Sequence, residues 1–353
     1  MWRRLHLGLL GLLLVLNGCV ISPRRDTVNN GGNGNGNGNG AFGRIYVTNP
    51  TNNTLVRFDG ALTINGNVAP GATISGAATL LSNPQYLFLD AANNRLFIAN
   101  QGGSNVLVFD NANAHTGNVA PTRTISGPST NLFSPMDLAL DRTRDLLYVA
   151  DLTSGIVVFA NGSNASGNAT PLHTLSLSFV PAAIFVDGAN NRLFVADKSN
   201  NAIQVFDGAA ALTGTVTANR IIIGIGTQLN QPAGLQVDVA GRLIVSNFNG
   251  GNVTIYSNAA TANGNVAPVA AINGGSTGIR APTQLVLNNA TTTGDLYLAD
   301  GAAGAVLIFA NLGSANGNIN ATRAVSGSNT GLQRASGGAG PFTATGIALD
   351  TTR

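Results

Sequence analysis

Residues 193–197 read Leu-Phe-Val-Ala-Asp, and this phrase decides the fold because close variants of it occur six times in the 353-residue chain. Each copy places apolar residues before a single Asn or Asp, as in a short buried strand that ends in a turn. The copies begin 46 to 53 residues apart, at 45–49, 96–100, 147–151, 193–197, 243–247 and 296–300. A period near 50 with several strands per unit is typical of β-propeller blades.

Each repeat also contains three other strand-like segments, and we name the four strands a to d in chain order. The phrase above is strand b. Strand a ends in Asp or Asn and has a proline six residues before that end, at Pro84, Pro135, Pro181, Pro232 and Pro282. Proline cannot donate to a strand ladder, so it marks the entry to the strand. Strand c follows a turn rich in Asn, Ser and Gly, and a Gly-Asn-Val-Ala-Pro type turn leads to strand d.

The two ends of the chain complement each other. The first repeat begins at strand b, whereas residues 346–350, Gly-Ile-Ala-Leu-Asp, read as a strand a that has no blade of its own. Pairing of this segment beside residues 45–49 would close a ring and remove open strand edges. We therefore predict an all-β fold, a six-bladed β-propeller of four-stranded antiparallel blades over residues 44–353.

These repeats resemble those of the NHL and YVTN propeller families, and Tyr46-Val47-Thr48-Asn49 carries the second signature literally. The resemblance spans residues 44–353 and implies a propeller. Propellers of these families include enzymes, sensors, surface proteins and scaffolds, so the resemblance does not define a function.

The amino terminus has the form of an export signal. Residues 1–4 are positively charged at Arg3 and Arg4, and an apolar run follows that is too short to span a bilayer. Leu16-Asn17-Gly18-Cys19 resembles the lipobox of bacterial lipoproteins, which implies a signal peptide at 1–18 and a lipid on Cys19. Simple cleavage that leaves a free thiol is the alternative.

The resemblance also implies the location of the mature protein. It would be extracytoplasmic and lipid-anchored, at the outer membrane if the cell has two, since Val20 stands where Asp would favour the inner one. Residues 19–43, which include an Asn-Gly repeat, form the lipidated cysteine and a flexible tether.

Composition excludes several function classes. Removal of Arg3 and Arg4 with the signal leaves 16 of the 18 basic side chains against 15 acidic ones, so we expect no nucleic-acid partner. The chain contains no Glu and only one Lys, Lys198. The His residues do not share a local segment, and we assign no metal and no cofactor.

The aligned positions at the start of strand a differ from blade to blade, which is typical of a ligand-facing surface around the channel mouth. We assign a candidate ligand-binding site to Tyr86, Asp137 and Gln284, with their neighbours Gln85, Met136 and Thr283. Relaxed packing at a channel mouth would produce the same variation, so that alternative stays open.

The Asp or Asn residues that end strands a and b are expected to cap the turns that follow them, with a Ca²⁺ site as the alternative. Basic side chains recur on strand d at Arg123, His173, Arg220 and Arg323, where charge would protect an outer edge.

The function expected from these features is that of a monomeric, membrane-anchored, non-catalytic binding or scaffold module for a protein, peptide or glycan. No catalytic residue is assigned. The alternative is a sugar-lactone or related hydrolase, since related propellers hydrolyse lactones. The resemblance to the gluconolactonase type implies a metal held in part by Glu, which this chain lacks.

Overall fold

The computed structural model describes residues 42–288, 294–332 and 343–353. The signal peptide predicted at 1–18, Cys19 and all but the end of the tether lie outside the described residues. Within the described ranges the chain forms 25 strands and seven short 3-10 helices. None of these helices is long and apolar enough to cross a bilayer.

The first three blades hold strands β1 to β11. They are β1 (Arg44–Asn49), β2 (Thr54–Asp59) and β3 (Ala72–Ile74) in blade 1; β4 (Pro84–Asp90), β5 (Arg95–Asn100), β6 (Asn105–Asp110) and β7 (Arg123–Ile125) in blade 2; and β8 (Pro135–Asp141), β9 (Leu146–Asp151), β10 (Gly155–Ala160) and β11 (His173–Ser176) in blade 3.

The remaining strands build blades 4 to 6 and complete blade 1. Blade 4 contains β12 (Pro181–Asp187), β13 (Arg192–Asp197), β14 (Ala202–Asp207) and β16 (Arg220–Ile222), blade 5 contains β17 (Pro232–Val237), β18 (Leu243–Asn247), β19 (Asn252–Tyr256) and β20 (Ala270–Ile272), and blade 6 contains β21 (Pro282–Leu287), β22 (Leu296–Asp300), β23 (Ala305–Phe309) and β24 (Arg323–Ser326). The short strand β15 (Gly214–Thr215) pairs with β11 of blade 3. The last strand, β25 (Ile347–Asp350), is the fourth strand of blade 1.

The short helices lie in the connections between strands. They are Ala77–Thr79, Gln101–Gly103, Ala112–Ala114, Ala209–Ala211, Ile225–Thr227, Gly275–Thr277 and Ser328–Thr330. Four of them follow a strand d and a glycine with positive φ, and the threonine that ends each donates its hydroxyl to that glycine's carbonyl. These connections lead from one blade to the next.

The predicted closure of the ring is confirmed. Strand β25 pairs antiparallel with β1, with Ile347 opposite Val47 and Ala348 opposite Tyr46. The first strands of the blades contact one another in the cyclic order β25, β4, β8, β12, β17, β21 and back to β25. The six four-stranded antiparallel blades therefore surround one axis, and blade 1 is built from both chain ends.

The hydrophobic core is divided into six clusters, one between each pair of neighbouring blades. Strand β5 supplies two of them because successive side chains of a strand point to opposite faces. Leu96 and Ile98 pack toward blade 1, whereas Phe97 and Ala99 pack toward blade 3. Burial on both faces explains why the strand b phrase is continuously apolar rather than alternating.

A clasp built from the Gly-Asn turns joins neighbouring blades. Gly117 of blade 2 bridges to Ile74 of blade 1, and the Asn118 Oδ1 atom accepts the backbone N–H of Ala78 at 2.8 Å. Gly76 has φ 109°, and a Cβ there would lie 2.6 Å from the Asn118 side chain, so glycine is required. The same arrangement closes the ring, where Asn67 accepts the N–H of Asn329 at 2.8 Å.

Three of the basic residues of strand d make contacts that the sequence did not indicate. Arg123 is largely buried, pairs with Asp110 of its own blade and donates to the carbonyl of Ser163 in the next blade. Arg220 pairs with Asp207, and Arg323 donates to the carbonyl of Ala61 in blade 1. The guanidinium groups of Arg123 and Arg323 therefore join neighbouring blades, that of Arg220 joins strands of one blade, and edge protection stays a prediction.

Candidate functional site

The first strands of all six blades line a channel of about 180 Å³ along the axis of the ring. Its wall is mostly Leu, Ile, Val, Ala and Phe, and its polar side chains are Asp137, Gln236 and Gln284. We call the end of the ring where strands a begin and strands b end the upper face. The candidate residues predicted from the sequence lie at this end of the channel.

Tyr86 closes part of the channel mouth by reaching across the axis. Its backbone belongs to β4 of blade 2, and its side chain packs in the cluster between blades 4 and 5. Its hydroxyl donates to the carbonyl of Ala233 in blade 5 at 2.8 Å. The residue is 1% exposed. Burial raises the pKa of its phenol, so Tyr86 stays neutral and acts as a hydrogen-bond donor.

Gln284 of blade 6 joins three other blades. Its Oε1 atom accepts the backbone N–H of Ile347 at 2.8 Å and that of Leu87 at 3.3 Å. Its Nε2 atom donates to the Leu87 carbonyl at 3.0 Å and to Asp137 Oδ1 at 3.4 Å. The side-chain amide therefore joins the first strand of blade 6 to those of blades 1, 2 and 3.

Asp137 connects blade 3 to blade 4 and, through Gln284, to blade 6. Its Oδ1 atom accepts the N–H of Leu138 and its Oδ2 atom that of Ile184 in blade 4, each at 2.8 Å. The residue is 3% exposed. Burial raises the pKa of the carboxyl to about 7, although the backbone hydrogen bonds from Ile184 and Leu138 act in the opposite direction.

The three neighbouring candidates differ in exposure. Gln85 is buried and its Nε2 atom donates to Asn83 and Gln101. Thr283 is buried and its hydroxyl faces the carbonyls of Ala299 and Ala344. Met136 is partly buried and packs against the cluster that holds Tyr86.

The structure therefore brings the predicted residues together, but their contacts join the blades at the channel mouth. We call Tyr86, Asp137 and Gln284 the channel plug. Four of the six candidates are buried, and their polar atoms have partners inside the protein. A ligand would reach them only by displacing these contacts, so their role in ligand binding stays a prediction.

The prediction that Asp and Asn residues cap the turns that follow them is confirmed for part of the row that ends strand b. Asp151 accepts the backbone N–H groups of Thr153 and Ser154 in the following turn, and also those of Phe133 and Ser134. Asn100 instead accepts the N–H of Ser82, in the connection that precedes strand a. In the row that ends strand a, Asp141 accepts from Thr143 and Arg144. Asp90 differs, since its partners are the Asn93 and Arg142 side chains. Among the described residues, no three His, Cys, Asp or Glu side chains are placed to hold a metal ion.

The outer part of the upper face carries exposed apolar side chains that sequence reasoning missed. They lie in the connections from strand d to the next strand a, at Leu80, Phe133, Val180, Ile223 and Ile225. Ile225 is 97% exposed. An apolar residue in a repeat rich in apolar residues gives no sign of its exposure, so only the loop geometry reveals this feature.

The upper face also carries the described basic side chains that lack a carboxylate partner. Eleven arginines in the described ranges form ion pairs with Asp, and Lys198 and Arg280 form none there. The Lys198 ammonium lies 3.9 Å from the ring centre of Phe248, a cation–π contact between blades 4 and 5. The carboxylates on this face, Asp137, Asp151, Asp197 and Asp300, are all buried.

Comparison with known proteins supports the fold alone. No protein-family model and no curated protein matches the chain. A chain in the crystal structure of a nidogen/laminin complex is similar, with 14% identity, a TM-score of 0.58 and coverage of 87% of this chain and 98% of that one. A functionally unknown protein from Desulfotomaculum acetoxidans DSM 771 has 10% identity, a TM-score of 0.52 and coverage of 80% and 79%.

Proposed function

We propose that this protein is a non-catalytic binding or scaffold module whose upper face holds a partner. The observation that carries the proposal is the row of exposed apolar side chains on a closed, internally clasped ring. These side chains recur in four successive connections between blades, and exposed apolar surface that a partner can cover is typical of interaction sites. A rigid frame also lowers the entropic cost of binding. A chain of similar fold occurs in the crystal structure of a nidogen/laminin complex, and this likeness agrees with such a role.

The proposal includes attachment to the cell envelope through Cys19, with the propeller in an extracytoplasmic location and residues 19–43 as its tether. Its support is the lipobox-like Leu16-Asn17-Gly18-Cys19. Two or more acyl chains would anchor a protein stably. Cys19→Ser should move the protein from the membrane fraction to the soluble fraction after cell disruption, and unchanged membrane recovery would contradict the anchor.

Cross-linking from native envelopes tests the binding face. The Phe133→Ser and Ile225→Ser double variant should lose the partners that cross-link to the wild-type chain. Val239→Ser with Val269→Ser is the matched control, because both valines are more than half exposed but lie away from the upper face. Retention of every partner by the upper-face variant, at wild-type stability, would contradict the proposed function.

The second candidate function is a lactone or related hydrolase, and Asp137 is the observation that favours it. A carboxyl with a pKa of about 7 beside the channel could act as a general base. Both of its oxygens, however, accept backbone hydrogen bonds. Turnover of a panel of sugar lactones by the wild-type chain, abolished in Asp137→Asn, would support hydrolysis.

A further inference from the structure

A groove of about 630 Å³ opens on the upper face between blades 4 and 5. Its walls are the turns from strand b to strand c of both blades and the connection that joins the blades. We call it the amide groove because Asn and Gln side chains supply much of its lining, at Asn200, Asn201, Gln228, Asn230 and Asn252. Ile223 and Ile225 form its apolar rim.

Three of these amides are oriented by internal hydrogen bonds to their carbonyl oxygens. The Asn201 Oδ1 atom accepts the N–H of Gln231 at 2.7 Å. The Oδ1 atoms of Asn252 and Asn230 accept from Asn247 at 2.8 Å and Asn249 at 3.3 Å. Within the described residues, the Nδ2 groups of these three asparagines have no acceptor. These three asparagines therefore offer hydrogen-bond donors to acceptors of a ligand, whereas the Nδ2 atom of Asn200 donates to Asp197.

A positive charge beside the inner end of the groove agrees with this preference, because Lys198 and Phe248 each lie two residues before a wall residue, Asn200 and Gly250. Lys198 and Phe248 are the first residues of the two turns that flank the groove, and their cation–π contact joins those turns. Strand b lies nearer the axis than strand c, so these residues lie inward of Asn201 and Asn252. The ammonium has no carboxylate partner among the described residues, and the acids of this face are buried. An anionic group is complementary to this end.

We propose that the amide groove binds an extended acidic segment of a partner protein. A carboxylate would pair with Lys198, backbone carbonyls would accept from the three asparagines, and an aliphatic side chain would cover Ile225. A peptide combines these three chemistries, whereas an acidic glycan lacks the aliphatic group. This inference rests on the proposed function and names the partner's chemistry.

Selection from a displayed library of random dodecapeptides tests the proposal on the full chain, purified in detergent and immobilised. The wild type should enrich peptides that contain Asp or Glu together with an aliphatic residue. Lys198→Glu should weaken the binding of the enriched peptides by at least about tenfold and shift the selection toward basic peptides.

Asn201→Asp is the second variant, because it retains the oxygen that accepts from Gln231 and replaces the groove-facing donor with an acceptor. It should also weaken binding about tenfold. Asn53→Asp is its matched control: Asn53 occupies the same turn position in blade 1, and its Oδ1 atom accepts the N–H of Asn83 at 2.7 Å. This control should bind as the wild type does.

Enriched peptides without acidic bias, or binding that survives both Lys198→Glu and Asn201→Asp, would overturn the amide-groove proposal while the cross-linking test of the upper face could still succeed. Failure to enrich any peptide, with an acidic oligosaccharide bound in a Lys198-dependent manner instead, would also overturn the peptide assignment. Loss of cross-linked partners only in the Val239 and Val269 control would contradict the proposed function itself.

Discussion

The hydroxyl of Tyr86 in blade 2 donates a 2.8 Å hydrogen bond to the carbonyl of Ala233 in blade 5, on the opposite side of the ring. With Gln284 and Asp137 it forms the channel plug, which connects all six blades at one end of the axis. Side chains that differ from blade to blade can thus have a structural role, because six equivalent positions converge on one point and only a few side chains fit there.

Tyr86→Phe should lower the free energy of unfolding by about 1 to 2 kcal/mol, since it leaves the buried Ala233 carbonyl without its donor. Tyr148→Phe is the matched control, because the Tyr148 hydroxyl is also buried but has no hydrogen-bond partner within the described residues. That control should change stability by less than about 0.5 kcal/mol. Equal effects of the two variants in urea unfolding would contradict the role of the Tyr86 hydroxyl.

Stability should decrease as the pH rises from about 4 to about 7 because of Asp137. Its pKa in the folded protein, about 7, lies above the value of about 3.9 expected for the unfolded chain. The folded state therefore binds the proton more tightly, and the benefit is lost as the pH rises through 7. One pKa unit corresponds to about 1.4 kcal/mol. A difference of about three units between the folded and unfolded chain therefore lowers the free energy of unfolding by roughly 4 kcal/mol.

Asp137→Asn should flatten this pH profile, because the side-chain amide that replaces the carboxyl does not titrate. Asp207 has the opposite sign, because hydrogen bonds and charge from Arg220 and Arg192 hold its pKa below the usual range. Its contribution is lost only in acid. Urea unfolding between pH 4 and 7 measures the Asp137 effect, and an unchanged slope over this range in Asp137→Asn would exclude Asp137 as the source.

Asn67→Ala should lower the free energy of unfolding by about 0.5 to 1.5 kcal/mol, because the clasp to Asn329 joins blade 1 to blade 6. Asn118→Ala, which opens the corresponding clasp between blades 1 and 2, should have a similar effect. Asn164→Ala is the control, since its side-chain bonds stay within its own turn. A ring that was open between blades 6 and 1 would leave Asn67→Ala without effect.

The number of blades, the four strands of each and the closing strand could be predicted because their signals are local. Apolar runs, entry prolines and Asn-Gly turns act over a few residues, and repetition makes each signal visible several times. The capping role of Asp151 follows in the same way, since its partners lie within 18 residues of it.

The members of the channel plug could be predicted to meet at the channel mouth, but their contacts and the amide groove could not, because these depend on distances set by the whole ring. Tyr86 and Ala233 are 147 residues apart, and only the diameter of the channel brings them within hydrogen-bonding distance. Similarly, Arg123 reads as an edge charge in the sequence, but the position of the next blade gives it a carbonyl partner at Ser163. Side-chain direction at such contacts has no local signature.

Amide hydrogen exchange of Arg44–Asn49, measured by mass spectrometry, tests most directly whether the two chain ends share one blade. In the full chain this strand should be protected as strongly as β5, and a chain that stops after Thr345 should lose that protection and unfold at lower denaturant. A chain that stops after Asp350 keeps β25 and should retain the protection. Undiminished protection of residues 44–49 in the chain without β25 would contradict the closed ring.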